Sequence, residues 1–292
     1  MGCGQDDAGS STGSVSERPD PSTIARIAVG GPVESLDPIT ATSRTERLIS
    51  RQIHEPLVSR LRPPFGVAGV RRGPARTLGS AQGSREWRFE LRSGVSFHDE
   101  ESLNGEAVIA NWERWQQTGI ADRLLPEVEA VFSPRPGEVR FRLGEPVADF
   151  PDRLGDPRLG LVSPGLLGGG EGTELGPSGT GPYEFSEQTP SRVLLEVYPR
   201  WWGEGAGLGP GILQLNFLLL DDSRQRVDAL LEGDVVIADG LDPGAGAELE
   251  RAPLLTTVAD RGGLTGISAM VRGLDSPAPD QPLAQVWLTE LR

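Results

Sequence analysis

Apolar and charged residues alternate without a break along the segment Trp87–Arg92. Successive side chains of a β-strand point to opposite faces, so this pattern predicts a half-buried strand. Trp87, Phe89 and Leu91 are expected to face a core, and Arg88, Glu90 and Arg92 are expected to face solvent or charged partners. After a turn at Ser93-Gly94, the strand is expected to continue through Val95–Phe97.

A second alternating segment, Val139–Leu143, follows the turn signature Pro134-Arg135-Pro136-Gly137. Together with Val128–Phe132 it predicts a β-hairpin. Residues 61–84 are rich in Pro, Gly and Arg and are predicted to form a loop. The Gly-rich stretch 165–181 is also predicted to form a loop.

Helical spacing is clearest after Asn104, an N-cap residue that precedes a segment carrying Trp112 and Trp115. Nearer the start, Ile24–Val29 reads as a buried strand, and Ser43 or Thr45 is expected to cap a short helix that runs towards Glu55.

Strands and helices alternate in the last third of the chain, which predicts a mixed α/β fold with some parallel pairing. The expected strands are Val193–Val197, Ile212–Leu220, Val235–Ile237, Leu254–Val258 and Ile267–Val271. The expected helices are Asp222–Leu231, Pro243–Glu250 and Leu283–Leu291.

Composition removes several classes of function. All 28 basic residues are arginine, and the missing lysine excludes Walker-A phosphate binding and Schiff-base chemistry. One cysteine and two histidines cannot build a Cys/His zinc cluster, and no metal or cofactor is expected. A net charge of −14 argues against binding nucleic acid.

Several isolated motifs are better explained by structural roles or chance than by catalysis or ligand binding. Gly9–Gly13 matches the G-x-S-x-G pattern of a hydrolase nucleophile but lies in a small polar tail without a preceding strand. His54 and His98 have no nucleophile nearby in sequence, and the acidic run Asp99–Glu101 reads as a solvated loop. The pairs Trp112/Trp115 and Trp201/Trp202 could stack on a ligand, but packing is the favoured interpretation.

The segment Trp87–Asp99 resembles the signature of the peptide/nickel class of extracytoplasmic solute-binding proteins, which feed ABC importers. The helix segment Leu103–Trp115 resembles the same family. One departure is Glu100, which stands where the family usually has Gly after His-Asp.

Five further segments resemble the family in the expected order. They are Leu36-Asp37-Pro38, Ile53–Val58, Gly179–Tyr183, Tyr198–Gly203 and Asp221–Val235.

The resemblance implies an α/β, periplasmic-binding-protein-like (class II) lobe with a mixed sheet and an inserted smaller α/β subdomain. Residues 23–60 plus 164–270 are expected to form the first-lobe ligand-binding domain, with 61–163 inserted. Residues 271–292 are expected to begin a second lobe that is mostly missing, and 1–22 to form a disordered tail or lipoprotein tether.

The resemblance also implies function. The chain is expected to capture a peptide or other small solute outside the cytoplasmic membrane, without catalysis, and to deliver it to ABC importer permease subunits. The residues expected to contact the ligand backbone are Thr40, Ala41, Thr42, Ser43 and Arg44, whose alternative role is a helix-capping loop. Cys3, just before the polar tail, is a candidate lipid attachment site that would anchor the chain to the membrane; otherwise it is an exposed cysteine.

A second hypothesis remains open. The chain could be a first-lobe remnant that does not trap a ligand and acts as a non-transport surface interaction module.

Overall fold

The computed structural model describes residues 24–60, 71–79, 85–167, 176–204, 212–245, 249, 255–259 and 267–271. The described strands form a seven-stranded sheet, a four-stranded sheet and a two-stranded ribbon. The strands are β1 Ile24–Val29, β2 Ser59–Arg60, β3 Arg71–Arg72, β4 Ala75–Gly79, β5 Glu86–Leu91, β6 Val128–Arg135, β7 Glu138–Leu143, β8 Tyr183–Thr189, β9 Arg192–Val197, β10 Gln214–Leu219, β11 Ile237–Leu241, β12 Leu255–Ala259 and β13 Ile267–Val271.

Six α-helices lie between these strands in the described part of the chain. They are α1 Arg44–Ile53, α2 Gly105–Gln117, α3 Ile120–Leu124, α4 Phe150–Arg153, α5 Pro164–Leu167 and α6 Ser223–Leu231. Short 3₁₀ helices cover Pro157–Leu159 and Pro243–Ala245. None of the helices described has both the length and the apolar character that a membrane crossing requires.

The seven-stranded sheet has the order β12-β13-β11-β1-β10-β9-β8. Its central strand β1 is parallel to both β10 and β11, and the remaining pairs are antiparallel. The mixed sheet with some parallel pairing is therefore confirmed. Its strands come from the two ends of the described chain, residues 24–29 and 183–271.

Helices cover both faces of this sheet. On one face, Ile49 and Ile53 of α1 pack with Tyr183, Leu215 and Phe217 in a buried cluster. On the other face, α6 contributes to a smaller cluster made of Ala28, Val227, Leu230, Val235, Ala238, Leu241 and Leu249. Each face of the sheet is therefore packed against an apolar layer.

The four-stranded sheet has the order β4-β5-β7-β6 and its own core. In β5, Trp87, Phe89 and Leu91 are buried while Arg88 and Glu90 are exposed, which confirms the expected orientation. The expected hairpin is the pair β6/β7. The N-cap side chain of Asn104 accepts a hydrogen bond from the Ala107 N–H at 2.9 Å, as expected for the start of α2.

Several sequence expectations were wrong in detail. The stretch 61–84, predicted to be a loop, contains the strands β3 and β4, which pair with β2 and β5. Val95–Phe97 does not continue β5, and Ser96 instead forms a single antiparallel bridge with Ser102. The strand expected at Val235–Ile237 begins at Ile237.

Strand β8 was not predicted either. It is an edge strand whose sequence is mostly polar, so it carries little apolar signal. Of the helix expected over Pro243–Glu250, the described part contains a 3₁₀ turn and Leu249. The expected helix Leu283–Leu291 and Cys3 lie outside the described residues.

Candidate ligand-binding site

The carboxyl ends of β1, β10 and β11 lie at one edge of the seven-stranded sheet because these strands are parallel neighbours. In open α/β sheets, ligands bind outside the carboxyl ends of the strands. The loop 30–43 leaves β1 at this edge, and the N-terminus of α1 follows it. The Thr45 hydroxyl donates to the Gly30 carbonyl at 2.6 Å, which ties the helix start to the strand end.

Glu46 holds both halves of this loop. Its Oε1 accepts from the N–H groups of Glu34 and Ser35 at 2.9 and 3.0 Å, and its Oε2 accepts from those of Thr42 and Ser43 at 2.9 and 2.8 Å. Burial alone would raise the pKa of this carboxyl, but the four N–H donors outweigh burial and lower it to about 2. The ionised side chain is 3% exposed and fixes the loop.

The five predicted ligand residues lie on this fixed loop and at the start of α1. Thr40, Thr42 and Ser43 are exposed, whereas Ala41 is buried. Ser43 also caps α1, since its hydroxyl accepts from the Glu46 N–H at 3.1 Å in a complete capping box. The capping alternative therefore applies to Ser43, while Thr40 and Thr42 present side chains at the surface.

Arg44 forms a bidentate ion pair with a carboxylate of the chain itself. Its Nε and Nη2 donate to Oδ2 and Oδ1 of Asp239 at 2.8 and 2.9 Å. Asp239 lies in β11 and is 2% exposed, while the Arg44 side chain is 26% exposed. This bidentate pair joins the start of α1 to the middle of β11.

Arg226 also lies at this edge, and no pattern in the sequence predicts its role. Although it lies on α6, it is 5% exposed and donates to the carbonyls of Leu220, Asp221 and Gly240. Burial lowers the pKa of this guanidinium, and nearby aspartates oppose that effect. The side chain therefore links the ends of β10 and β11.

The candidate residues away from this edge have structural roles. Trp112 and Trp115 are buried in the core of the four-stranded sheet, as the packing interpretation requires. The indole N–H groups of Trp201 and Trp202 donate to Oε2 of Glu55 at 3.3 and 2.8 Å, and the Arg92 guanidinium lies 4.7 Å from the Trp202 ring centroid. Burial raises the pKa of Glu55 to about 7, although both indoles and the charge of Arg92 act against it.

Each histidine has a ring nitrogen within hydrogen-bond distance of a backbone carbonyl oxygen. His54 Nδ1 lies 3.1 Å from the Leu161 carbonyl oxygen, and His98 Nε2 lies 3.0 Å from that of Gly181. Burial lowers both pKa values to about 4, so both rings are neutral at pH 7. Glu100 pairs with Arg200. The described ranges contain no group of three His, Cys, Asp or Glu residues that could hold a metal ion.

The family model described as "Bacterial extracellular solute-binding proteins, family 5 Middle" matches residues 75–284. The chain belongs to this family. The match covers the four-stranded sheet and the strands β8 to β13, and the family named here is the one that the sequence segments resemble.

Curated relatives match over part of their length. The chain is 31% identical over 175 residues to the uncharacterized protein YhjP of Bacillus subtilis, covering 58% of this chain and 28% of YhjP. It is 25% identical over 244 residues to the glutathione-binding protein GsiB of Pectobacterium atrosepticum, covering 80% and 45%. Several other matches are named HTH-type transcriptional regulator SgrR, and the one from Salmonella choleraesuis is 26% identical over 284 residues, covering 90% and 47%.

Among solved structures, the binding protein AgaA of A. tumefacien R10 in complex with agropinic acid matches with a TM-score of 0.71 at 22% identity. It covers 80% of this chain and 47% of that one. These likenesses establish the periplasmic-binding-protein-like fold. The chain spans about half the length of AgaA and less than half the length of the curated relatives it matches.

Proposed function

We propose that this chain provides the first lobe of the substrate-binding component of an ABC importer. It captures peptides or similar small solutes outside the cytoplasmic membrane and passes them to the permease subunits without catalysing a reaction. In this proposal residues 23–60 and 164–270 form the ligand-binding domain, 61–163 an inserted subdomain, and 271–292 the start of a second lobe. Cys3 is the proposed lipid attachment site, with residues 1–22 as the tether.

One observation carries this proposal. The exposed residues Thr40, Thr42 and Ser43 lie at the carboxyl edge of the parallel strands, on a loop that the buried Glu46 carboxylate holds in place. A fixed loop with exposed hydroxyl groups suits recognition of an extended main chain, because hydrogen bonds to a peptide backbone do not depend on its side chains. The name of GsiB, a glutathione-binding protein, and the agropinic acid bound to AgaA support a small organic solute.

Binding proteins of this shape close around a ligand like a hinge and bury it on both sides. A single lobe leaves much of the ligand in water. We therefore expect the 292-residue chain by itself to bind peptides no more tightly than roughly the high-micromolar to millimolar range.

Isothermal titration calorimetry with a mixed pool of di- to pentapeptides tests this expectation. Weak heats that disappear when Thr40 and Thr42 are both changed to Ala support the proposal, with the exposed Thr118→Ala as the matched control. Sub-micromolar binding by the monomeric chain would show that one lobe suffices and that the two-lobe account is wrong.

A second candidate function is the non-transport surface interaction module. The relatives named transcriptional regulators favour it, because their name describes no transport although the one from Salmonella choleraesuis matches 90% of this chain. Uptake of labelled peptides in cells with and without the gene separates the two functions. Loss of uptake on deletion supports the importer component, and unchanged uptake supports the interaction module.

A further inference from the structure

A cavity of about 390 Å³ lies between strand β8 of the main sheet and the helices α2 and α5. Its volume is in the range of small-molecule sites. The lining includes His54, the C-cap residue of α1, at the opposite end of this helix from Ser43. None of the predicted ligand residues Thr40–Arg44 lines it, so the cavity is separate from the predicted ligand segment.

Much of the cavity wall is apolar. The apolar side chains come from the loop after β1, the segment before α5, α5 itself and β8, and they include Leu36, Val162, Leu166 and Phe185. Walls of this kind favour an aliphatic or aromatic body, because removing apolar surface from water is favourable.

Two polar atoms of lining residues stand out. Nε2 of His54 and Nη1 of Arg114 are buried and have no hydrogen-bond partner among the described residues. His54 is 3% exposed, and both residues line the cavity. A buried polar atom without a partner costs free energy, so this pair of atoms indicates a site that recognises a polar group.

The two atoms have opposite hydrogen-bonding character. His54 Nδ1 lies 3.1 Å from the Leu161 carbonyl oxygen, which can only accept, so Nδ1 carries the ring proton. Burial lowers the pKa of His54 to about 4, and in the neutral ring Nε2 is therefore an acceptor. Arg114 Nη1 can only donate. The cavity thus offers one acceptor and one donor.

The charged residues of the lining balance each other. Arg114 Nη2 donates to Oδ2 of Asp37, and Asp37 Oδ1 accepts from the Ile39 N–H at 2.9 Å. The Gln188 amide is also committed, since its Nε2 donates to the Val33 carbonyl at 2.8 Å. An anion in the cavity would face the Asp37 carboxylate, and a cation would face Arg114. This lining therefore favours a neutral occupant.

We propose that this cavity binds a small neutral molecule with an apolar body and one group that both donates and accepts a hydrogen bond, as a carboxamide does. The amide N–H donates to His54 Nε2, and the amide oxygen accepts from Arg114 Nη1. The inference goes beyond the proposed function and does not depend on it, because the cavity shares no residue with Thr40–Arg44.

Four probes of similar shape test the proposal: benzamide, benzoate, benzylamine and toluene. Each is titrated at pH 7 into the isotope-labelled 292-residue chain, and amide chemical shifts are recorded. Benzamide is expected to shift the amides of His54, Val162 and Phe185 and to bind about tenfold more tightly than each of the other three, because it alone can form both hydrogen bonds without bringing in a charge.

Substitutions test the two polar atoms. His54→Asn keeps an N–H near the position of Nδ1 but has no atom at Nε2, and Arg114→Lys keeps a cation beside Asp37 but lacks the second guanidinium nitrogen. Each should weaken benzamide binding about tenfold. Arg123→Lys, the same change at an exposed position on α3, is the matched control and should leave binding unchanged. The amide spectrum of each variant without probe shows whether the fold is intact.

Several results would overturn the inference. They are no shift at millimolar benzamide, equal binding of toluene, tighter binding of benzoate or benzylamine, and benzamide binding that survives both His54→Asn and Arg114→Lys. If neither variant folds, the ranking of the four probes with the wild-type chain decides. Loss of benzamide binding in the Thr40→Ala/Thr42→Ala variant would place the probe at the ligand segment and also contradict the cavity site. Failure of peptide binding contradicts the proposed function alone.

Discussion

Arg44 and Asp239 are 195 residues apart in sequence, yet they form a bidentate ion pair between the start of α1 and the main sheet. The pair joins the start of α1 to β11, and its carboxylate is almost completely buried. It therefore fixes the position of the loop end that carries the predicted ligand residues.

Arg44→Ala is expected to destabilise the fold by about 2–4 kcal/mol, because it removes the bidentate hydrogen bonds that Arg44 donates to the buried Asp239 carboxylate. Urea unfolding measures this change in the free energy of unfolding. The double variant Arg44→Ala/Asp239→Asn should recover part of the loss, since the buried carboxylate charge is also removed. If Arg44→Ala lowers the free energy of unfolding no more than the exposed control Arg123→Ala does, the ion pair does not stabilise the fold.

Glu46→Gln is expected to reduce the free energy of unfolding by about 2–3 kcal/mol at pH 7, because two of the four N–H groups would face an amide NH₂ in place of a carboxylate oxygen. The pKa of Glu46 is lowered from 4.5 to about 2, so its contribution is complete above pH 4.5 and is lost as the pH falls towards 2.

Urea unfolding of wild type and Glu46→Gln between pH 7 and pH 2.5 should therefore show a difference that shrinks below pH 4.5. Glu113→Gln, an exposed change on α2, is the matched control and should show little effect. A difference that is independent of pH would mean that the four hydrogen bonds do not stabilise the ionised form.

Glu55→Gln is expected to stabilise the protein at alkaline pH. Burial raises the pKa of Glu55 from 4.5 to about 7, so the favourable contribution of this group is complete below pH 4.5 and is lost as the pH rises through 7. The amide keeps an oxygen to accept from Trp202 and does not ionise, so the variant should be more stable than wild type by about 2–3 kcal/mol at pH 8.5.

Thermal unfolding of the Glu55→Gln variant at pH 5 and pH 8.5 checks this sign. The gain in stability should be large at pH 8.5 and small at pH 5. The control Glu90→Gln, on the exposed face of β5, should show no gain at either pH. Destabilisation at pH 8.5 would contradict the raised pKa.

Trp87→Ala is expected to cost about 3–5 kcal/mol of stability, because the ring is 9% exposed in the core and its indole N–H donates to the Val147 carbonyl at 3.1 Å. Arg88→Ala, the exposed neighbour on the same strand, should change stability by no more than about 0.5 kcal/mol. Similar costs for the two variants would mean that the alternation along β5 does not decide burial.

Local sequence patterns predicted those strands and helices whose buried face or first residue is determined by residues close together in the sequence. The alternation of Trp87–Arg92 fixed the buried face of β5, and Asn104 marked the start of α2. The polar edge strand β8 had no such pattern, so it was missed even though it completes the main sheet.

The site was only partly predictable for the same reason. The family resemblance pointed to Thr40–Arg44, but the partners that fix this segment come from elsewhere in the chain. Asp239 and Arg226 reach the edge only through the pairing of β1 with β10 and β11, which no local pattern encodes. Glu46 was likewise visible in the sequence as a helix residue, not as the acceptor of four N–H groups from the preceding loop.

The most direct test of the account is a map of amide chemical shifts in the isotope-labelled 292-residue chain as the mixed peptide pool is added, because NMR detects binding even in the millimolar range. The account predicts that the largest chemical-shift changes occur at residues 30–44 and at the carboxyl ends of β10 and β11. Shifts confined to the four-stranded sheet, or none at millimolar peptide with the fold intact, would contradict a solute-binding edge.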